Sequence, residues 1–123
     1  MLYAILCYDS EAVVGSWTKE QDAAAIAKLD VVQEKLARQG RLGPVVRLMP
    51  TTAATTLRKG KDTIVLDGPF AETKEALLGF FIVDCASLEQ AVETAKDLGR
   101  ASSSTGSYEI RPLRLFRPGS LSA

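Results

Sequence analysis

Residues 2–8 have the sequence Leu-Tyr-Ala-Ile-Leu-Cys-Tyr and predict a first strand that is apolar on both of its faces. The stretch Leu78–Cys85 has the same character apart from Asp84, and it predicts another strand of this kind. Because successive side chains of a strand point to opposite sides of the sheet, such strands need cover on both sides. The two segments therefore predict a central sheet that is buried on both faces.

Two amphipathic helices are predicted beside these strands. The first begins after Thr18, which forms a capping-box pattern with Gln21, and it ends at Gly40. The second, over 87–98, starts with the same Ser-x-x-Gln pattern and ends before Gly99. Apolar residues recur at helical spacing along the first helix, at Ile26, Leu29, Val32 and Leu36.

Shorter elements account for most of the remaining chain. Leu42–Leu48 predicts a strand, and Thr55–Arg58 with Thr63–Leu66 flanks a turn sequence and predicts a β-hairpin. Tyr108–Phe116 predicts the last strand, in which Pro112 favours an edge position or a bulge.

Three connecting segments complete the predicted order. Asp9–Trp17 is predicted as a loop, Glu72–Ala76 as a short helical turn after Pro69, and 101–107 as a flexible loop. We see no repeat or linker that divides the chain. The sequence thus predicts one domain over 1–117 and a flexible tail over 118–123.

The predicted order is that of an α+β protein, a ferredoxin-like βαββαβ core with an inserted β-hairpin. Two helices, each about 10 Å across, cover about one face of a four-stranded sheet whose strands lie about 4.8 Å apart. No other predicted element is large enough for the second face. The simplest cover is the sheet of another copy, so we expect a homodimer with sheet packed on sheet.

The composition limits the classes of function that are expected for this chain. The 123 residues carry 15 basic and 15 acidic side chains, and this balance argues against general binding of nucleic acid or of a membrane surface. The basic residues Arg111, Arg114 and Arg117 near the end are expected to be a solvated face. No apolar run approaches the roughly 20 residues of a membrane span, and no signal peptide is recognisable at the N-terminus. We therefore expect a cytoplasmic protein.

The chain has no histidine, and it lacks a glycine-rich phosphate loop and a Cys-x-x-Cys pattern. No metal site and no cofactor are therefore predicted. Cys7 and Cys85 both fall in predicted strands and are expected to be free thiols, although a disulfide between adjacent strands stays open.

The tetrapeptide 67–70, Asp-Gly-Pro-Phe, follows the predicted hairpin. Taken alone it is a well-formed turn, in which Asp67 accepts backbone hydrogen bonds and Gly68 permits dihedrals that are closed to other residues. Phe70 is then an apolar anchor. The same residues beside a cleft would instead form part of a binding site.

Three segments resemble the DGPF branch of the YCII-related family: 67–75 (Asp-Gly-Pro-Phe-Ala-Glu-Thr-Lys-Glu), 79–84 (Gly-Phe-Phe-Ile-Val-Asp) and 109–113 (Glu-Ile-Arg-Pro-Leu). The initial Met-Leu-Tyr-Ala-Ile-Leu is also similar, so the resemblance covers nearly the whole chain. It implies a dimeric α+β barrel of ferredoxin-like units. It also implies a connection with extracytoplasmic-function sigma factors, beside which members of this branch are often encoded.

Two departures from the family pattern limit what the resemblance implies. Leu78 stands where relatives usually have a second glycine before Gly79, which puts a shared ligand pose in doubt. Relatives in the wider family use a His–Asp pair as a proposed catalytic dyad, and this chain has no histidine. That mechanism is therefore not carried over.

The candidate site residues lie around the DGPF turn. Asp67 is the candidate general base, since burial next to Phe70 would raise its pKa. Lys74 and Arg111 are candidates for holding an anionic substrate, although Arg111 and Glu109 share a strand face and are equally expected to pair with each other. The other candidate ligand-binding residues are Tyr3 or Tyr108, as hydrogen-bond donors, and Gly68, Pro69 and Phe70.

Two functions remain from the sequence. The first is a small-molecule-binding protein, with or without a weak isomerase- or lyase-like proton transfer. The second is a non-catalytic accessory or regulatory module that acts with a sigma-factor system. The sequence leaves open whether the protein is an enzyme.

Overall fold

The computed structural model describes residues 1–102 and 105–121. In these residues the order of elements is β1 (Leu2–Asp9), α1 (Glu11–Gly15), α2 (Lys19–Arg38), β2 (Leu42–Arg47), β3 (Thr55–Arg58), β4 (Ile64–Asp67), β5 (Ala76–Asp84), α3 (Leu88–Ser102) and β6 (Ser107–Pro112). A 3₁₀ turn, Thr51–Ala53, lies between β2 and β3.

Four of the strands form one antiparallel sheet in the order β2-β5-β1-β6, and β3 with β4 forms a separate two-stranded hairpin. This order, with a helix after β1 and another after β5, is the ferredoxin-like arrangement. The predicted fold class, α+β with an inserted hairpin, is therefore confirmed.

The core lies between the sheet and the two long helices. Tyr3 pairs with Val83 and Ile5 with Phe81, and these four side chains pack against α2 and α3. Ile5 and Val83 are completely buried, as is Leu98 of α3. The alternate positions of the central strands face the other side of the sheet, where Ala4 pairs with Ile82 and Leu6 with Phe80.

Both predicted helix starts are confirmed by hydrogen bonds. The Gln21 N–H donates to Thr18 Oγ1 at 3.1 Å, and the Thr18 N–H donates to Gln21 Oε1 at 2.9 Å. At α3 the Gln90 N–H donates to Ser87 Oγ at 3.2 Å, while Gln90 Oε1 accepts from the N–H of Ala86 at 2.6 Å. The side chains thus supply partners for amide groups that the helix leaves unpaired.

Two predictions for connecting segments are wrong. The predicted loop 9–17 contains α1, which begins because Ser10 Oγ accepts the Val13 N–H at 3.4 Å and acts as an N-cap. The predicted helical turn 72–76 is absent, because residues 72–75 are bends and irregular chain and Ala76 already belongs to β5. A proline suited to a first helical turn does not start a helix without apolar residues to pack beneath it.

The C-terminal ends of α3 and β6 also differ from the predicted ones. Helix α3 continues through Gly99 to Ser102, because a glycine costs a helix only about 1 kcal/mol and here lies against the ring of Tyr108. Strand β6 ends at Pro112 and not at Phe116, since proline has no N–H for the ladder. Its predicted edge position is confirmed. Residues 103 and 104 of the predicted loop 101–107, and 122–123 of the predicted tail, lie outside the described residues.

Both cysteines are free, with Cys85 buried and Cys7 half-buried. Cys7 lies opposite Gly79 in the sheet, whereas Cys85 follows Asp84 at the other end of the same strand pair. Among the helices in the described part of the chain, none combines the length and the apolar character of a membrane span.

Candidate functional site

A cavity of about 340 Å³ lies between α2 and one end of the sheet. Helix α2 supplies Ala25, Ile26 and Leu29, which belong to the apolar stripe and its neighbours. The sheet supplies the strand segments 45–47 and 78–81. The volume is near the lower limit of the roughly 300–1,000 Å³ that is typical of small-molecule sites. The cavity is therefore suited to a small ligand with an apolar body.

Asp9 gives the cavity a buried carboxylate. This last residue of β1 is 7 % exposed and lines the cavity. Its Oδ1 accepts the Ser10 N–H at 2.7 Å, and the Thr105 hydroxyl donates to both carboxylate oxygens at 3.1–3.2 Å. These bonds hold the carboxylate in one orientation at the point where the strand meets the helical layer.

Cys7 and Tyr108 are a second polar group in the cavity wall, and they face each other across β1 and β6. Burial raises the pKa of the Cys7 thiol to about 12, and burial raises the pKa of the Tyr108 phenol to about 12 as well. The Tyr108 hydroxyl lies 3.0 Å from Ser102 Oγ. Both side chains are therefore protonated near neutral pH. They can hydrogen-bond a ligand, but Cys7 is poorly suited to act as a nucleophile, which requires the thiolate.

An ion pair lies where the cavity adjoins a wider surface cleft of about 820 Å³. Arg47 of β2 donates to Asp22 of α2 at 2.9 Å, and both residues line both spaces. Trp17, the only tryptophan of the chain, also lines both. Together they form the partition between the inner cavity and the outer cleft.

The outer cleft is bordered by a contact between α1 and the 3₁₀ turn. The Glu11 carboxylate accepts the Thr51 N–H at 2.8 Å and the hydroxyl of the same residue. Both bonds lower the pKa of Glu11, and the bond from the hydroxyl has the larger effect. The contact fixes α1, which carries no buried residue of its own, against the chain that follows β2.

The DGPF residues lie on the hairpin side of the molecule and do not line this cavity. Asp67 is exposed at the end of β4, and the side chain of Phe70 is 84 % exposed. Gly68 has a φ of 99°, its N–H donates to the Ala54 carbonyl at 2.8 Å, and its carbonyl accepts from Thr56 Oγ1 at 2.8 Å. Pro69 is half-buried beside it. In a single chain the tetrapeptide is thus a turn that follows β4 and is hydrogen-bonded to Ala54 and Thr56 at the start of β3.

The other predicted site residues are dispersed. Tyr3 is buried in the core, Lys74 is exposed, and Arg111 pairs with Glu109 at 3.2 Å, as the alternative interpretation predicted. Of the candidate site residues named from the sequence, Tyr108 is the one that lines the cavity.

Asp9 was not predicted as a site residue from the sequence. The available signal was its position, since it is a carboxylate that directly follows an apolar strand. The carboxylate is hydrogen-bonded to Thr105, far away in the sequence, and this approach is tertiary. Within the described ranges no three metal-ligating side chains come together.

A four-stranded antiparallel sheet with two helices on one face, and a cavity beneath the first long helix, defines a small ferredoxin-like α+β protein with a ligand-sized cavity. The chain belongs to the YCII-related family, whose domain model matches residues 1–117. It is 58 % identical over 122 residues to an uncharacterised protein of Rhizobium meliloti (strain 1021), with 98 % of each chain covered.

Proposed function

We propose that the protein binds a small, largely apolar molecule in the cavity between α2 and the sheet. The observation that carries this proposal is the cavity itself, an apolar space of about 340 Å³ whose lining includes the buried Asp9, a carboxylate held by hydrogen bonds. Burying polar groups beside an apolar space costs free energy, so a fold without a ligand gains little from this arrangement.

The cavity favours binding over covalent chemistry. Its thiol and phenol stay protonated, and the group placed to accept a proton from a ligand is the Asp9 carboxylate. An isomerase- or lyase-like proton transfer would therefore use Asp9, and not the exposed Asp67, as its base in a single chain. We propose binding as the function, with proton transfer to Asp9 as the chemistry that the site would support.

We also propose that the protein works as a homodimer. The face of the sheet opposite α2 and α3 carries the half-buried Leu6 and Phe80. The hairpin adds apolar side chains that are more than half exposed, namely Leu57, Ile64 and Val65. Apolar positions of this kind on a small protein are typical of an interface, and a second sheet is a complementary partner for the sheet face.

The binding proposal is tested by an NMR titration with benzyl alcohol, a neutral single-ring probe. The indole N–H signal of Trp17 reports the cavity, because it is the only indole in the chain. We expect a saturable shift of this signal and of the Ser10 amide.

The matched variants are Ala25→Phe and Ala27→Phe. Ala25 lines the cavity, and a phenylalanine there fills it, whereas Ala27 is exposed on the same helix and is not a lining residue. We expect Ala25→Phe to weaken binding about tenfold or more and Ala27→Phe to leave it unchanged. Equal effects of the two substitutions, or no saturable shift in the wild type, would favour the non-catalytic accessory module.

A further inference from the structure

We propose that the ligand of the cavity is a hydroxylated apolar molecule with an aliphatic chain, and that this chain leaves the cavity between Ile26 and Val45. This inference rests on the proposed binding function and names the chemical class of the ligand and its orientation. It follows from the different chemistry of the two ends of the cavity lining.

The cavity lining extends across all four strands of the sheet β2-β5-β1-β6. Tyr108 of β6 lies opposite Cys7 of β1, and Cys7 lies opposite Gly79 of β5. Gly79 in turn lies opposite Arg47 of β2, and all four residues line the cavity. Neighbouring strands are about 4.8 Å apart, so β6 and β2 are about 14 Å apart. The lining therefore has two separate ends, one at β6 and the other at β2.

The end at β1 and β6 is polar. Cys7 and Tyr108 line it, and both are protonated near neutral pH. Ser102 Oγ donates to the Gly99 carbonyl at 3.2 Å and lies 3.0 Å from the Tyr108 hydroxyl. Because this bond uses the single hydroxyl hydrogen of Ser102, Tyr108 donates to Ser102 and its own oxygen keeps its acceptor capacity. A hydroxyl group of the ligand is a suitable donor to this oxygen.

The end at β2 has an apolar rim. Ile26 of α2 and Val45 of β2 line the cavity from two different elements, and each is 41 % exposed. Val45 lies opposite the buried Phe81, so it is on the face of the sheet that carries the core. The charged groups beside this rim, Asp22 and Arg47, are paired with each other at 2.9 Å. An aliphatic chain between Ile26 and Val45 removes both side chains from water, and this burial is favourable.

Helix α2 shows why Ile26 is accessible to a ligand. Ile26 and Leu36 belong to the same apolar stripe, but Leu36 is 4 % exposed and packs in the core. The stripe is thus buried in the C-terminal half of α2 and partly open in the N-terminal half, which lines the cavity. A helix that only covers a sheet is expected to bury its whole stripe. We therefore assign the open half of the stripe to contact with the ligand.

The test is an NMR titration of the Trp17 indole signal with three alcohols that differ in one chain: benzyl alcohol, para-ethylbenzyl alcohol and para-butylbenzyl alcohol. The affinity is expected to rise about twofold or more for each methylene group, and about tenfold or more from benzyl alcohol to the butyl compound. The proposal is overturned if the butyl compound binds no more tightly than benzyl alcohol.

A polar chain of the same length provides the matched control compound. In para-(hydroxyethoxy)benzyl alcohol the side chain has as many heavy atoms as a butyl group, but two of them are oxygens. This compound is expected to bind within about twofold of benzyl alcohol, because an apolar rim gives its oxygens no hydrogen-bond partner. An equal gain from the polar chain and the butyl chain would contradict the apolar character of the rim.

Three variants locate the aliphatic chain. Ile26→Ala is expected to reduce the gain from the butyl chain about threefold or more and to leave benzyl alcohol within about twofold. Val45→Thr, which replaces a methyl group of the rim by a hydroxyl group, is expected to have the same effect. Val31→Ala is the control, since Val31 is exposed on the same helix and does not line the cavity. Equal effects of Ile26→Ala and Val31→Ala would overturn the proposal.

The outcomes distinguish this proposal from the binding function on which it rests. Saturable binding of benzyl alcohol without a gain from the butyl chain removes the aliphatic chain and leaves the binding function in place. The absence of a saturable shift with every compound of the series removes both. Light scattering without ligand tests a second copy as the cover of the rim. If Ile26→Ala alone halves the mass of the wild-type protein, the rim is a contact between two copies and the proposal is overturned.

Discussion

Gly79 of β5 lies so close to the backbone of β2 that a β-carbon at this position would overlap the carbonyl oxygen of Val46. The overlap is with the main chain and not with a flexible side chain, so the sheet has to deform to relieve it. Gly79 also lies opposite Cys7 and lines the cavity. This glycine therefore sets both the approach of the edge strand β2 and the shape of the cavity floor.

Gly79→Ala is expected to lower the free energy of unfolding by about 1–3 kcal/mol or more, as overpacked positions do. Chemical denaturation followed by circular dichroism measures this change. Gly60→Ala is the matched control, because a β-carbon on Gly60 meets no atom within 4 Å. A Gly79→Ala protein as stable as the Gly60→Ala protein would contradict the close approach of the two strands.

The oligomeric state tests the proposal that a second copy of the chain covers the second face of the sheet. Light scattering at micromolar concentration is expected to give twice the 13.2 kDa of one chain. Leu6→Lys introduces a charge on the half-buried second face and is expected to give monomers. Leu88→Lys, on an exposed position of α3, is expected to remain dimeric. A wild-type protein with the mass of one chain would overturn the homodimer.

The contact between Glu11 and Thr51 predicts a pH dependence of stability. The hydrogen bonds from Thr51 lower the pKa of Glu11 in the folded protein, so the folded state stabilises the ionised carboxylate. That stabilisation is complete above the ordinary glutamate pKa of about 4.3 and is lost as the pH falls through the lowered value.

Glu11→Gln is therefore expected to lower the melting temperature at neutral pH and to make little difference in acid below the lowered pKa. Melting curves over a series of pH values measure whether the melting temperatures of Glu11→Gln and the wild type converge in acid. Glu34→Gln, exposed on α2, provides the control and is expected to run parallel to the wild type. A constant difference between Glu11→Gln and the wild type at every pH would contradict the ionic origin of the effect.

The burial of the two cysteines predicts that their thiols resist alkylation in the folded protein. Cys85 is 2 % exposed, and burial raises the pKa of the Cys7 thiol to about 12. A thiol alkylates through its thiolate, so iodoacetamide at mildly alkaline pH is expected to label neither residue in the folded protein and both after denaturation. Mass spectrometry counts the labels. Rapid labelling of Cys7 in the folded state would show a thiolate in the cavity.

The fold could be predicted from the sequence because its signals are local. Thr18 and Gln21 are three residues apart, and the apolar runs of 2–8 and 78–85 are recognised without knowledge of distant residues. Predictions failed where a tertiary contact decided the outcome. Gly99 stays helical because α3 packs on the sheet beside Tyr108, and no pattern in the sequence records that contact.

The candidate site was less predictable than the fold. The DGPF turn is conspicuous in the sequence, and it led to Asp67, Lys74 and Arg111, which the structure leaves exposed. Asp9 is a single acid in an ordinary strand end. Its burial and its hydrogen bonds with Thr105 depend on residues that are distant in the sequence and close in space.

These two carboxylates provide the final prediction. Asp67→Asn is expected to leave the affinity for benzyl alcohol unchanged, because Asp67 is exposed at the end of β4 and does not line the cavity. Asp9→Asn replaces a hydrogen-bond-accepting oxygen of a lining residue by an amide group and is expected to reduce the same affinity about threefold or more. Parallel titrations of the Trp17 indole signal compare the two variants, and light scattering confirms that both keep the oligomeric state of the wild type. The opposite order, with Asp67→Asn the weaker binder, would move the site to the DGPF turn, and a turn that is open to solvent in one chain could become a binding site only where a second copy covers it.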